Sequence, residues 1–206
     1  MSSSNEYHLK CKCSAFEAVF NSPPRMVFNC QCHSCVAAIA AIEAKESFNG
    51  TSMKCNTPSD GENSGAAIAI YKSNNVTVTK CDESKVAFVK VGDDGKIARP
   101  YCTECGTVLF NVWAPNWCAA NLNALTTSDG CTYAPKKEVM NVNCKSSFDK
   151  TKISNPKHNT VPMGMLFKFI PLIAGLGCDG SNAKDDGGKL MPEDITKVES
   201  VPITWI

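Results

Sequence analysis

Apolar residues recur at short spacing in seven runs, at 15–20, 25–29, 66–71, 75–79, 85–91, 107–112 and 138–144. Each run alternates apolar with polar positions or is rich in β-branched and aromatic residues, as strands packed on a core require. Turn signals such as Ser73-Asn74-Asn75 and Asp93-Asp94-Gly95 separate them. One stretch alone, 35–46 (CVAAIAAIEAKE), has a helical composition, Ala-rich and ending in charge. The pattern therefore predicts a mainly β protein with one short helix. Residues 48–64 (FNGTSMKCNTPSDGENS) are polar and turn-rich and read as an inserted loop. The longest apolar run, 163–177 (MGMLFKFIPLIAGLG), is interrupted by Lys168 and Pro171 and is too short to cross a bilayer. It is expected to be core-packing or loop sequence, without membrane contact. The stretch 177–194 is rich in Gly and Asp and is expected to be poorly ordered. These features predict a single domain over 1–180, with the insertion at about 48–64, followed by a C-terminal tail over 181–206.

Composition narrows the class. The chain has 206 residues, 43% of them apolar and 20% charged, which is ordinary for a globular domain. A formal net charge of +1 implies no strongly basic face and disfavours nucleic acid as a partner. The first ten residues, MSSSNEYHLK, are polar and contain no apolar core of a secretory signal, so a cytoplasmic location is expected. That expectation governs the thirteen cysteines. In a reducing compartment, clustered cysteines point to metal binding or catalysis before disulfides. A disulfide framework is the alternative, and C-x-C pairs are poor partners for one.

Seven cysteines fall in three clusters: Cys11-x-Cys13, Cys30-x-Cys32-x-x-Cys35 and Cys102-x-x-Cys105-Gly106. Zinc takes thiolates in tetrahedral geometry from short-range pairs on turns. Cys102 and Cys105 fit one tight turn, with Gly106 free to take a positive φ. Cys11 and Cys13 read as a strand-type pair with both side chains on one face. Together these two pairs make a closed site of four thiolates. The triplet supplies three, and a catalytic zinc often keeps three protein ligands and one open position. Seven is what one closed and one open site need. The alternative is a second closed site, with His33, Cys55 or Cys81 as the fourth ligand of the triplet.

The order C-x-C, C-x-C-H-x-C and R-x-x-C-x-x-C-G, with Gly65-Ala66 before a strand and Arg99 ahead of the last pair, resembles the glutathione-dependent formaldehyde-activating enzyme family, which also includes centromere protein V. The likeness runs from about Tyr7 to Gly177. It implies an Mss4-like fold, β-sheets folded around zinc, and two Zn2+ ions per chain. It implies that Cys11, Cys13, Cys102 and Cys105 hold a structural zinc, and that Cys30, Cys32 and Cys35 hold a catalytic one. It implies a carbon–sulfur lyase acting on a thiol–carbonyl adduct such as S-(hydroxymethyl)glutathione, with a small thiol or carbonyl substrate, glutathione among the candidates.

Departures from the family pattern bear on the substrate. Ser14 stands where the family usually has Gly. Val36-Ala37-Ala38 follows the triplet where basic residues are usual, and Gly65-Ala66 arrives only after the insertion. These changes imply a reshaped pocket, so a second expectation is a lyase or cyclase with a changed carbonyl or imine substrate, independent of glutathione. A third is a non-enzymatic zinc module that binds a protein. The basic or Pro-rich arm that would favour this module is missing from the chain. His33, Glu104 and His158 qualify as proton carriers by residue type alone. Cys55, Cys81, Cys118, Cys131, Cys144 and Cys178 read as buried or incidental thiols. Trp113 and Trp117 are expected in the core before a pocket wall, and Lys136, Lys137 and Lys145 on a solvated face. Asn49 and Asn75 open glycosylation sequons without consequence in a cytoplasmic chain.

Overall fold

The computed structural model describes residues 6–45, 65–114, 116–136, 139–144, 158–174, 190 and 192–201. Their strands are β1 (Tyr7–Lys10), β2 (Phe16–Phe20), β3 (Met26–Cys30), β4 (Ala66–Lys72), β5 (Val76–Cys81), β6 (Val86–Val91), β7 (Arg99–Cys102), β8 (Phe110–Trp113), β9 (Trp117–Asn121), β10 (Leu125–Thr127), β11 (Met140–Val142) and β12 (Glu199–Val201). Two helices join them, α1 (His33–Glu43) and α2 (Met163–Ile173). The protein is mainly β, as its patterning predicts. The inserted loop at 48–64 and Cys55, Lys137, Lys145, Asn49 and Cys178 lie outside the described residues.

The strands form three sheets, in the orders β10-β1-β2-β5, β11-β3-β4-β9-β8 and β12-β6-β7. Pairing is antiparallel except where β11 joins β3 and β12 joins β6. Strand β4 explains why the middle sheet is central. Its sequence AAIAIY is apolar at every position, which a strand needs when both its faces are covered. Ala66, Ile68 and Ile70 enter one core cluster, with Phe28, Ile39, Ile42, Val89 and Val142. Ala67, Ala69 and Tyr71 enter the other, with Leu9, Phe16, Phe20, Phe110 and Leu125. Side chains alternate along a strand, so one strand serves two cores. The Cys30 triplet edges the first core, and Cys11, Cys102 and Cys105 edge the second.

Several elements differ from expectation. Helix α1 starts at His33, two residues before the predicted Cys35, and ends at Glu43. Within the run at 163–177, Met163–Ile173 form a second helix that packs on the core by one side, where no helix was expected. Met165 and Leu172 of α2 are buried, and Phe169 meets Trp117 edge-on at 5.0 Å. Its other side exposes Met163, Leu166, Phe167 and Ile170 at 66%, 39%, 67% and 55%. Part of the expected tail, Glu199–Val201, is a strand paired with β6. No helix among the described residues is long and apolar enough to cross a membrane.

Candidate metal centres

Cys11 follows β1 and Cys13 lies in the turn that leads to β2. The expected strand-type pair is therefore a turn pair. Ser14 closes the turn at φ 60°, with its N–H donating to the Cys11 carbonyl at 2.9 Å. The second pair repeats the device: Gly106 has φ 68° and donates to the Cys102 carbonyl at 2.8 Å. Both turns thus need left-handed backbone directly after their second cysteine. This is the physical reason for glycine there, and Ser14 occupies the same region at a steric cost.

The four sulfurs of Cys11, Cys13, Cys102 and Cys105 lie within 4.8 Å of one another. Cys13 Sγ is 3.5 Å from Cys11 Sγ and 3.4 Å from Cys102 Sγ. A tetrahedron built on Zn–S bonds of about 2.3 Å has edges of about 3.8 Å, so small adjustments suffice. The Phe16 N–H donates to Cys11 Sγ at 3.2 Å, and Thr107 Oγ1 sits 3.1 Å from Cys105 Sγ. Burial pushes the Cys105 thiol up, but hydrogen bonds with Thr107, the Cys13 backbone and Cys102 together outweigh it and bring the group down to about 7. Burial holds the neighbouring Cys102 thiol up. Crowded thiols resist ionising together, and a divalent cation relieves that repulsion.

The second cluster gathers Cys30, Cys32 and Cys35, again with sulfurs within 4.8 Å. Cys30 ends β3, Cys32 is the N-cap of α1 and Cys35 lies in its first turn. The Cys30 thiol donates to Cys32 Sγ at 3.4 Å. That bond holds the Cys32 thiol far below its ordinary value and the Cys30 thiol far above it. The helix N-terminus adds to the effect at Cys32, since the Cys35 N–H and the positive end of the dipole both favour a thiolate. Cys30 and Cys35 are buried, whereas Cys32, His33 and Ser34 are half-exposed, so the cluster is reached from that side.

No fourth His, Cys, Asp or Glu among the described residues brings a ligand atom into this triplet. His33 opens α1 and Cys81 ends β5, yet neither joins; Cys55 lies outside the described residues. Glu104 sits at the four-cysteine cluster, where its carboxylate pairs with Lys85 at 3.0 Å. His158 is tied by backbone bonds to Asn141 and Cys144, which flank Asn143. None of the eleven described cysteines is in a disulfide. Cys118 and Cys144 are buried, and Cys81 and Cys131 are at least part-exposed. Trp113 packs edge-on against Phe110 at 4.8 Å, as expected of a core residue. It also walls a cavity of about 340 Å³ lined by none of the seven clustered cysteines.

Two polar residues beside the triplet were not legible as such. Arg99 is 1% exposed, and its Nη2 donates to Ser34 Oγ at 2.8 Å and approaches Cys35 Sγ at 3.9 Å. Alternation along β7 explains the reach: residue 99 faces one core, while residue 102 faces the other and carries the second cluster. Asn143, at φ 59°, donates from Nδ2 to Cys30 Sγ at 3.5 Å. Arg99 carried a signal, its place in R-x-x-C-x-x-C-G; Asn143 carried none. Gly65 has a packing reason, since a Cβ there would lie 2.3 Å from Gln31 Nε2.

Neither the known protein-family models nor the curated proteins include a match to this chain. The geometry itself gives a mainly β protein with two cysteine clusters, each able to hold a metal ion such as zinc.

Proposed function

We propose that the chain is a zinc-dependent lyase of the carbon–sulfur type, working at Cys30, Cys32 and Cys35 on a thiol–carbonyl adduct such as S-(hydroxymethyl)glutathione. In this reading Cys11, Cys13, Cys102 and Cys105 hold a second zinc that serves the fold alone. The observation that carries it is the difference in ligand number: one cluster presents four sulfurs and the other three, with a half-exposed edge. Zinc bound to the triplet would polarise a carbonyl oxygen and lower the pKa of a thiol. The chain's own groups do the rest. The N-terminus of α1 and the Asn143 amide steady the sulfurs as thiolates, and Cys32, His33 and Ser34 leave one side approachable. In the forming direction sulfur attacks the carbonyl carbon, an S–C bond forms, and the π pair moves to oxygen. The thiol proton ends on that oxygen; cleavage runs the same path backwards.

A changed carbonyl or imine substrate is the second reading, and one observation favours it. The described chain resumes after the expected insertion at Gly65, which packs on Gln31, between two ligands of the triplet. In this reading the insertion alters what the site admits. The test is exchange NMR on zinc-loaded protein with formaldehyde, with and without glutathione. Exchange accelerated by the protein and lost in Cys32→Ser is expected. Acceleration that ignores glutathione would move the reading to the changed substrate. Four sulfurs on both metals by X-ray absorption, unaltered by any ligand, would overturn the enzymatic reading and leave a binding module.

A further inference from the structure

We propose that the buried guanidinium of Arg99 makes the Cys30–Cys32–Cys35 site selective for an anionic incoming donor, a thiolate or alkoxide, over a neutral one. The inference rests on the reading of the triplet as an open metal site, and it names the charge class of what that site takes.

A guanidinium stays protonated in proteins, and a buried charge needs a counter-charge close by. Arg99 is among the largest fully buried side chains in the protein. Its contacts are the Ser34 hydroxyl, the Ile97 carbonyl at 3.4 Å and the Cys35 sulfur; Nε has no hydrogen-bond partner. Among the described residues none of these partners is a carboxylate, so the triplet sulfurs are the anions within reach. The four-cysteine cluster differs. The cations beside it are not buried: Lys12 is exposed, and Lys85 is half-exposed and pairs with Glu104.

Charge counting then separates two kinds of ligand. A divalent zinc with three thiolates carries about −1, and Arg99 brings the assembly to zero. An anion arriving at a neutral assembly builds up a single negative charge. Without Arg99 the same anion would face a site already negative, in surroundings of low dielectric where like charges repel strongly. A neutral donor such as imidazole feels neither effect to first order. The Ser34 hydroxyl holds the guanidinium on the Cys35 side, and the Asn143 amide draws charge from Cys30 on the other. The charge selectivity is therefore built in by groups that a substrate does not touch. Arg99 is a positioning residue in this account, since its guanidinium is itself buried and meets the approach side only through the Ser34 hydroxyl.

The experiment uses full-length protein loaded with Co2+, whose visible bands report a change of donor set at the open site. The cobalt protein is titrated at one fixed pH with 2-mercaptoethanol and separately with imidazole. In the natural chain both are expected to perturb the bands. In Arg99→Met, thiol affinity should fall by roughly tenfold or more while imidazole affinity moves by less than about threefold. Arg99→Lys, which keeps the charge, should recover most of the thiol affinity. Should Arg99→Met not fold by circular dichroism, Arg99→Gln, neutral and still able to bond Ser34, carries the same expectation. An unchanged ratio of thiol to imidazole affinity in a folded, cobalt-loaded neutral variant would overturn the proposal and leave the open site standing. A natural chain whose cobalt bands respond to neither ligand would instead overturn the open site, and this proposal with it.

Discussion

Ser14 and Gly106 do the same work with different side chains. Each sits at positive φ one residue after a cysteine pair and closes the turn that aims two sulfurs inward. Left-handed backbone costs an ordinary residue about 1–2 kcal/mol, and glycine avoids that cost while adding entropy to the unfolded chain. Gly106→Ala should therefore lower the stability of zinc-loaded protein by about 1–2 kcal/mol. Ser14→Gly should leave it level or raise it by up to about 1 kcal/mol. Urea midpoints at equal m-values check both, and a loss in Ser14→Gly equal to that in Gly106→Ala would refute the shared-turn account. At this scale the two clusters, seven cysteines in all, were legible because metal sites use few residue types at short spacing. Their geometry was less so: Cys-x-Cys is compatible with a strand or with a turn. Serine at a left-handed position leaves nothing in the sequence to choose the turn.

At the scale of elements, strands lying in runs rich in apolar, β-branched or aromatic residues were readable, β4 and β11 among them, whereas β1, β7, β9, β10 and β12 were not. Strand β7 contains Pro100, which cannot donate to a ladder, and it lies at a sheet edge where that loss is tolerated. Strand β9, WCAAN, has no β-branched residue and gains its place from pairing with β4 and β8. Helix α2 hid behind Lys168 and Pro171. The proline falls in the last turn, where it removes one hydrogen bond and ends the element without breaking it. Its two sides should respond differently to mutation. Leu172 is 2% exposed and packs in the first core, so Leu172→Ala should cost about 2–5 kcal/mol. Phe167 is 67% exposed, and Phe167→Ser should shift stability by about 0.5 kcal/mol or less. Thermal unfolding of the two variants separates them, and equal losses would mean that the outward side of α2 is covered in solution.

Across the whole molecule the two clusters hold different amounts of chain. Cys30, Cys32 and Cys35 come from one strand end and the helix that follows it, so a metal held there would close only short loops. The other four come from the β1–β2 turn of one sheet and the end of β7 in another, and Cys13 and Cys102 stand 89 residues apart. Closing so long a loop has a large entropic cost, which a metal bound to all four sulfurs offsets only in the folded state. Metal bound at that site would thus contribute folding energy to two sheets at once. Removing one ligand would also leave crowded sulfurs at the rim of the second core without a fully coordinated metal between them. Cys102→Ser should accordingly give protein that is insoluble or has lost its β-type circular dichroism. Cys32→Ser should stay folded, retain one zinc per chain and lose exchange activity. A chelator titration offers an independent route: zinc should leave the triplet first without change in the dichroism, and unfolding should accompany loss of the second ion. Unfolding in step with the first zinc released, or equal damage from the two serine variants, would show that the clusters do not divide the labour in this way.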